Sequence, residues 1–261
     1  MKTIFITGAS TGAGHATARL FAGKGWKVIA TLRQPESATE LAALPNTTLL
    51  PLDITDPEQI SKTVATVIAM VEIDLVFNNA GYGLIGSLEA TSDEQILRQI
   101  NTNLLGMIRI IKAFIPHFRS RGHGLFISTS SIGRLVSFPL NSIYHATQWA
   151  LEGWSESMAF KLKRLGIGIK TVAPGGIATD STGRSPGQAR SEAYDGRMSK
   201  VWNAFAGAFT FSTPEQIAAV VYEAATDGKD RLHYAAGEHM AEKKEPGIAG
   251  LRSIKFSHVS S

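Results

Sequence analysis

A glycine-rich turn, TGASTGAG (Thr7–Gly14), follows directly on a short apolar strand, Lys2–Thr7, and opens a helical pattern running from about Ala13 to Gly23. A second apolar run, Lys27–Thr31, follows. Strand, tight turn, helix and strand in that order make a βαβ unit, whose crossover forces the two strands to lie parallel. The alternation continues. Thr48–Pro51 reads as the third strand, and a helix after Pro57 carries Val64, Val67, Ile68 and Val71. Asp74–Phe77 is strand four, Gly124–Ser128 strand five, and one long helix over about Asp93–Phe118 lies between them. A helix over about Ser142–Leu165 ends at Gly166 and leads into the strand Gly168–Val172. Thr213-Pro214-Glu215 reads as cap and first turn of a last helix to about Thr226, and Arg231–Tyr234 as a final edge strand. The expected architecture is one α/β domain over 1–261, a Rossmann-type doubly wound parallel sheet with helices on both faces.

Composition narrows the function classes. At 261 residues the chain needs no second domain, and 44% apolar with 18% charged residues suits a globular protein with a sizeable core. Twenty-six basic against 22 acidic residues give a net charge of +4, spread along the chain. The densest basic runs, Lys161–Arg164 and Lys243-Lys244, are short and do not interleave with aromatics, so no nucleic-acid partner is expected. With no cysteine, disulfides, thiolate catalysis and thiolate metal sites are excluded. MKTIFITG enters a strand at once, without the long apolar core of a signal peptide, and no run reaches the roughly 18 apolar residues of a membrane span. A cytoplasmic location and no membrane partner are the expectations.

Gly8, Gly12 and Gly14 let the backbone turn tightly and let phosphate approach N–H groups at the positive end of a helix. Their spacing is Gly-x3-Gly-x-Gly. With Leu52-Asp53, Asn78-Asn79-Ala80-Gly81, Asn103, Ser131, Tyr144 and Pro174-Gly175 in the same order, the segment from about Thr3 to Asp180 resembles the short-chain dehydrogenase/reductase family. That resemblance implies a nicotinamide coenzyme bound by Gly8, Ser10, Thr11, Gly12 and Gly14. Asp53 and Ile54 would flank its adenine, and Asn79, Ala80 and Gly81 its ribose side. Pro174, Gly175, Ile177 and Thr179 would touch the nicotinamide. An acid at the end of strand two would chelate the ribose hydroxyls and repel a 2′-phosphate. Leu32 stands there with Arg33 beside it, and a guanidinium pairs a phosphate with two parallel hydrogen bonds, which favours NADP(H) over NAD(H).

Carbonyl reduction needs a hydride, a hydrogen-bond donor at the carbonyl oxygen and a proton for the alkoxide. The resemblance makes Ser131 the donor and Tyr144, thirteen residues on, the general acid. Ser130 is the adjacent alternative. Asn103 matches the helix Asn whose backbone carbonyl holds a water on a proton relay, with Asn101 nearby. The family's Tyr-x-x-x-Lys motif is broken. Tyr144-His145-Ala146-Thr147-Gln148 carries a neutral amide where a Lys would bind ribose hydroxyls and lower the phenol pKa by its charge. Gln148 can still hydrogen-bond ribose. Loss of one preorganised charge costs on the order of 3 kcal/mol, about a hundredfold in rate. No lysine substitutes, since Lys161 and Lys163 lie more than three turns along the helix, and His145 points away from Tyr144 by about 100° of rotation.

Three readings follow: an NADPH-dependent reductase of an apolar ketone or aldehyde weakened by Gln148, an imine or iminium reductase that profits from the missing charge, or a non-catalytic NADP-binding protein. Residues 179–212 are too long for a simple connection and read as a lid over a small-molecule substrate or as a disordered stretch. Met198, Val201, Trp202, Phe205, Phe209 and Phe211 there suit core packing as well as an apolar pocket wall. Tyr82, Leu84, Val136, Phe138 and Leu140 could form the opposite wall. Residues 236–261 are an unassigned tail. By resemblance the helices Asp93–Phe118 and Ser142–Leu165 pair across a two-fold axis, giving a homodimer or homotetramer.

Overall fold

The computed structural model describes residues 1–134, 137–175, 188–189 and 212–237. Seven strands form one parallel sheet: β1 (Thr3–Thr7), β2 (Lys27–Leu32), β3 (Thr47–Pro51), β4 (Leu75–Asn78), β6 (Gly124–Thr129), β7 (Ile167–Pro174) and β9 (His233–Ala236). Their spatial order is β3-β2-β1-β4-β6-β7-β9, the Rossmann-like arrangement expected from the alternation. A separate two-stranded pair joins β5 (Ile85–Gly86) to β8 (Gln188–Ala189).

Both faces of the sheet are covered, so its central strands are buried throughout rather than on alternate residues. All five residues of β1 and all four of β4 are buried. On one face, Phe21 of α1 (Gly12–Gly23) and Ile217 and Val221 of α7 (Pro214–Thr226) pack with Ile4, Ile6 and Phe77. On the other, α3 (Pro57–Met70), α5 (Met107–Arg121) and α6 (Ser142–Lys163) bring Val64, Phe114 and Leu151 against Phe5, Val76 and Phe126.

Helix starts are written into the local chemistry. The Asp56 carboxylate accepts from Glu58 N (2.9 Å) and Gln59 N (3.0 Å) ahead of Pro57, and Thr213 makes a reciprocal capping box with Gln216 ahead of Pro214. A short helix, α2 (Thr39–Ala42), was not expected from the sequence.

Several boundaries differ from expectation; β7, for one, runs Ile167–Pro174 rather than Gly168–Val172. The single helix over Asp93–Phe118 is instead α4 (Asp93–Ile100), a π-helical turn over Asn101–Gly106, and α5. A π-helical turn keeps the stretch helical from Asp93 to Arg121, so the sequence reads as one helix. The last strand is shifted two residues, to His233–Ala236, because register follows pairing with β7, where Thr171 lies opposite His233 and Pro174 opposite Ala236. Ala236 therefore belongs to the sheet rather than to the tail. Of the lid stretch 179–212, the described residues are Gln188, Ala189 and Ser212; Met198, Val201, Trp202, Phe205, Phe209 and Phe211 lie outside them, as do Val136 and residues 238–261.

Candidate active site

Sheet order reverses between β1 and β4, and the carboxyl ends of these strands open a crevice where open α/β sheets take their ligands. The glycine turn sits on one side of it. Gly8 has φ +67°, and a Cβ there would stand 2.7 Å from the Ala80 backbone. A Cβ on Gly14 would collide with the Asn79 amide and the Gly8 carbonyl. These two glycines are therefore required by close approach of β4's end to the turn. Asn79 ties the crevice together: its Nδ2 donates to Thr7 O (3.3 Å) and Gly8 O (3.0 Å), and its backbone N donates to Thr7 Oγ1 (3.0 Å). Ala80 N donates to the same hydroxyl at 3.1 Å.

Helix α1 begins at Gly12 with no side-chain cap from Thr11 and no acidic residue in its first turn, so no side chain competes with an anion at its positive end. Ser10 and Thr11 are exposed there. At the ends of β2 and β3, Leu32 is buried, Ile54 is buried and Arg33 is exposed. Asp53 Oδ1 accepts from Thr55 N (2.8 Å) and Thr55 Oγ1 (2.7 Å). Burial works against this carboxylate, but the Thr55 bonds and the charges of Arg33 and Arg98 hold its pKa below the ordinary value.

The π-helical turn carries Asn103. Its amide grips the backbone of Tyr82 from both sides: Nδ2 donates to Tyr82 O (2.8 Å) and Oδ1 accepts from Tyr82 N (3.1 Å). Gln99 Nε2 adds a bond to Tyr82 O at 3.0 Å. Gly81 lies against the same amide. The extra residue in the turn lets Asn103 reach the loop after β4 while Gly106 passes close to the Ile54 carbonyl, 2.8 Å from where a Cβ would stand.

Ser131 follows β6 and is buried; its Oγ accepts from Gly133 N at 3.0 Å. Tyr144, in the first turn of α6, is half-buried, and the Ser131 side chain acts on its phenol. Burial pushes the phenol pKa above its ordinary value, and the Ser131 side chain only partly opposes this. His145 is structural: Nδ1 faces Gly133 O at 3.0 Å and Nε2 accepts from Phe138 N at 2.8 Å, with its pKa lowered by burial. It pins the Ser131 loop to α6, a role its position one residue after Tyr144 did not suggest. Leu140, in the wall expected from the sequence, has φ +62° and accepts from Gly86 N at 2.8 Å, tying this loop to β5.

One turn on, Gln148 is 4% exposed and its Oε1 has no hydrogen-bond partner. A buried acceptor without a partner is costly, and a ligand hydroxyl donating to it would remove the penalty. The uncapped helix start, the glycine turn and this oxygen together fit a dinucleotide. Pro174 and Gly175 close β7, with Gly175 N donating to Ala236 O at 3.1 Å, while Ile177 and Thr179 lie outside the described residues. Among the described residues no group of three or more His, Asp or Glu could hold a metal ion, and no helix is long and apolar enough to cross a membrane.

The model of the short chain dehydrogenase family matches residues 2–189. The chain belongs to that family. Short-chain dehydrogenases use nicotinamide coenzymes, and relatives of this chain bear oxidoreductase names. An uncharacterized oxidoreductase of Schizosaccharomyces pombe is 36% identical over 213 residues, spanning 81% of this chain and 90% of the relative. The 3-ketodihydrosphingosine reductase of Bacteroides thetaiotaomicron is 33% identical over 182 residues, 69% and 66% of the two chains. Among solved structures, a short-chain dehydrogenase from Streptomyces avermitilis superposes with TM-score 0.82 at 30% identity, over 92% of this chain and 89% of that one. ElxO with NADP bound gives 0.75 at 25% identity, over 90% and 97%. A Burkholderia phymatum family member in complex with NAD gives 0.79 at 20% identity, over 96% and 92%, a likeness of fold. This chain is thus an oxidoreductase enzyme, which leaves the non-catalytic reading without support.

Proposed function

We propose that this short-chain dehydrogenase reduces the carbonyl of an apolar ketone or aldehyde with NADPH, Ser131 donating a hydrogen bond to the carbonyl oxygen and Tyr144 supplying its proton. The observation that carries this reading is Tyr144 in the first turn of α6 beside buried Ser131 at the carboxyl edge of the sheet, with burial raising the phenol pKa and the Ser131 side chain opposing it. A protonated phenol is what a reduction requires, because the alkoxide formed at the carbonyl oxygen must receive a proton. The nicotinamide, when bound, supplies the hydride. Gly8, Ser10, Thr11, Gly12 and Gly14 would hold its phosphates, Asp53 and Ile54 its adenine, and Asn79, Ala80 and Gly81 its ribose side. Gln148 would accept from a ribose hydroxyl, and Asn103 would hold a water on the proton path through its backbone carbonyl.

Preference for NADPH is supported by exposed Arg33 beside buried Leu32, an apolar residue at the end of β2 where an acid would repel a 2′-phosphate. The apolar substrate class is supported by the buried Leu84 and the Tyr82, Phe138 and Leu140 loops, and by the keto substrate in the name of the Bacteroides relative. A second reading, reduction of an iminium, is favoured by one observation: Gln148 puts an uncharged amide one turn from Tyr144, and a cationic substrate meets no repulsion there.

The deciding measurement is NADPH consumption against matched ketones and cyclic iminium ions by this chain and Gln148→Lys. The carbonyl reading expects the Lys variant to be about a hundredfold faster on ketones. Faster iminium turnover by the natural chain, lost in the Lys variant, would replace it with the second reading. We infer also that two copies pair through α4, α5 and α6: α4 packs on α6, and Leu97, Trp149 and Phe160 of those helices are 59%, 49% and 79% exposed.

A further inference from the structure

Glu152 lies on α6 one turn beyond Gln148 and about two beyond Tyr144, and it is 7% exposed. An ionised carboxylate is kept in such a place only when charges and donors surround it. Four elements supply them. The Ser130 hydroxyl at the end of β6 donates to Oε1, and Arg134 Nε, in the turn after Ser131, stands 3.6 Å from the same oxygen. Thr171 of β7 donates to Oε2 at 3.2 Å, and His233 Nδ1 of β9 lies 3.0 Å from it. Burial opposes the anion, but His233, Ser130 and Arg134 hold the Glu152 carboxyl below the ordinary glutamate range, so this hub is charged at neutral pH.

The residues it grips bracket Ser131. Ser130 precedes it and is itself fixed to β7 through Ser130 N donating to Val172 O at 2.7 Å. Arg134 closes the following turn, its backbone N donating to Ser131 O at 3.0 Å. The carboxylate that holds both is rooted on the helix that presents Tyr144. His145, bonded to Gly133 O, fixes the near end of that helix to the turn, and Glu152 fixes its middle, two turns on. Two anchors on one rigid helix determine both distance and orientation, where one would allow rotation.

We propose that Glu152 is a positioning residue: its carboxylate clamps the strand end and turn around Ser131 in the orientation that meets Tyr144. This rests on the Ser131–Tyr144 reading of the site. Small misplacements of reacting groups cost far more rate than affinity, so the expected signature is in kcat.

The test uses the full chain, Glu152→Gln, Ser130→Ala and the double variant, followed by amide hydrogen exchange, coenzyme titration by tryptophan fluorescence and carbonyl reduction. Glu152→Gln keeps the side-chain volume, so it remains informative if Glu152→Ala does not fold. The expected result is faster exchange of the 130–134 amides with α1 and β1 unchanged, and kcat reduced on the order of ten- to a hundredfold at unchanged KM and coenzyme Kd. Ser130→Ala should give a similar loss, and the double variant no more than the larger single loss, because both act through one contact. Unchanged exchange over 130–134 in Glu152→Gln would overturn the proposal, as would an unchanged kcat. If the natural chain binds coenzyme yet reduces no carbonyl, the functional reading falls by itself, and the exchange data alone decide whether Glu152 holds Ser131.

Discussion

Tyr144 and Gln148 lie one turn apart on α6, and their chemistry sets the pH behaviour. The phenol is raised by burial, and the position one turn on carries Gln148 rather than a lysine that would lower it. Reduction uses the protonated phenol, so its activity is retained through neutral and mildly alkaline pH and falls only as pH rises through the raised pKa. Alcohol oxidation needs the phenolate and should climb over that same alkaline range. Gln148→Lys, by placing a cation one turn away, should move both limbs to lower pH; kcat/KM against pH in each direction measures it. Limbs that do not move would show that charge at this position does not reach the phenol. Arg33 makes a separate prediction. Arg33→Ala should weaken NADPH by about ten- to a hundredfold while leaving NADH nearly untouched, since one bidentate phosphate contact is removed; equal loss for both coenzymes would contradict the NADPH assignment. Ser131, Tyr144 and Gln148 could be singled out in the sequence because the family's motif is local to one loop and one helix. Glu152 was not, because nothing in the WALEGW segment distinguishes a buried hub from a solvated acid. Only burial and partners from β6, β7 and β9 do so.

Between elements, the contacts that matter are close approaches of backbone. Gly14 lets α1 start against Asn79 and the Gly8 carbonyl, so Gly14→Ala forces β1's turn away from β4's end. A loss of about 1–3 kcal/mol in stability is expected, with coenzyme binding weakened as well; urea denaturation and fluorescence titration would measure the two. The strand and helix order was readable because each element carries its own period of apolar residues. The π-helical turn at Asn103 and the β5–β8 pair were not. The first is a one-residue insertion specified by what Asn103 reaches, the Tyr82 backbone, and the second joins segments about a hundred residues apart in two-residue strands.

At the scale of the whole molecule, the far edge of the sheet is closed by a charge cluster. Lys170 Nζ donates to Ala224 O (2.7 Å), Asp227 Oδ1 (3.0 Å) and Tyr234 OH (3.1 Å), and Tyr234 OH donates to Asp227 Oδ2 (2.8 Å). Burial raises the Asp227 pKa, but bonds from Lys229, Tyr234 and Lys170 bring it down to about 2 from 3.8. A depressed carboxyl stabilises the fold above its unfolded pKa and loses that contribution as pH falls through the folded one. Stability should therefore drop by ~1–2 kcal/mol between about pH 4 and 2, discounted for solvent at this rim, and Asp227→Asn should remove that part of the slope in urea titrations. Assembly is tested at the same scale. Phe160→Asp, on the exposed face of α6, should convert a dimer to a monomer in light scattering, and a natural chain that is already monomeric would dispose of the pairing.

What the sequence determined by itself was the parallel α/β architecture and the place of the glycine turn in it, because period and turn chemistry are local properties of the chain; Ser131 and Tyr144 were singled out by their match to the family's motif. What tertiary structure alone decided was which polar groups end up buried together: Asn103 on the Tyr82 backbone, Gln148 with an unpaired oxygen, and Glu152 among four elements. Those pairings join residues distant in sequence, and their energies come from desolvation, which exists only once the sheet and helices have closed around them.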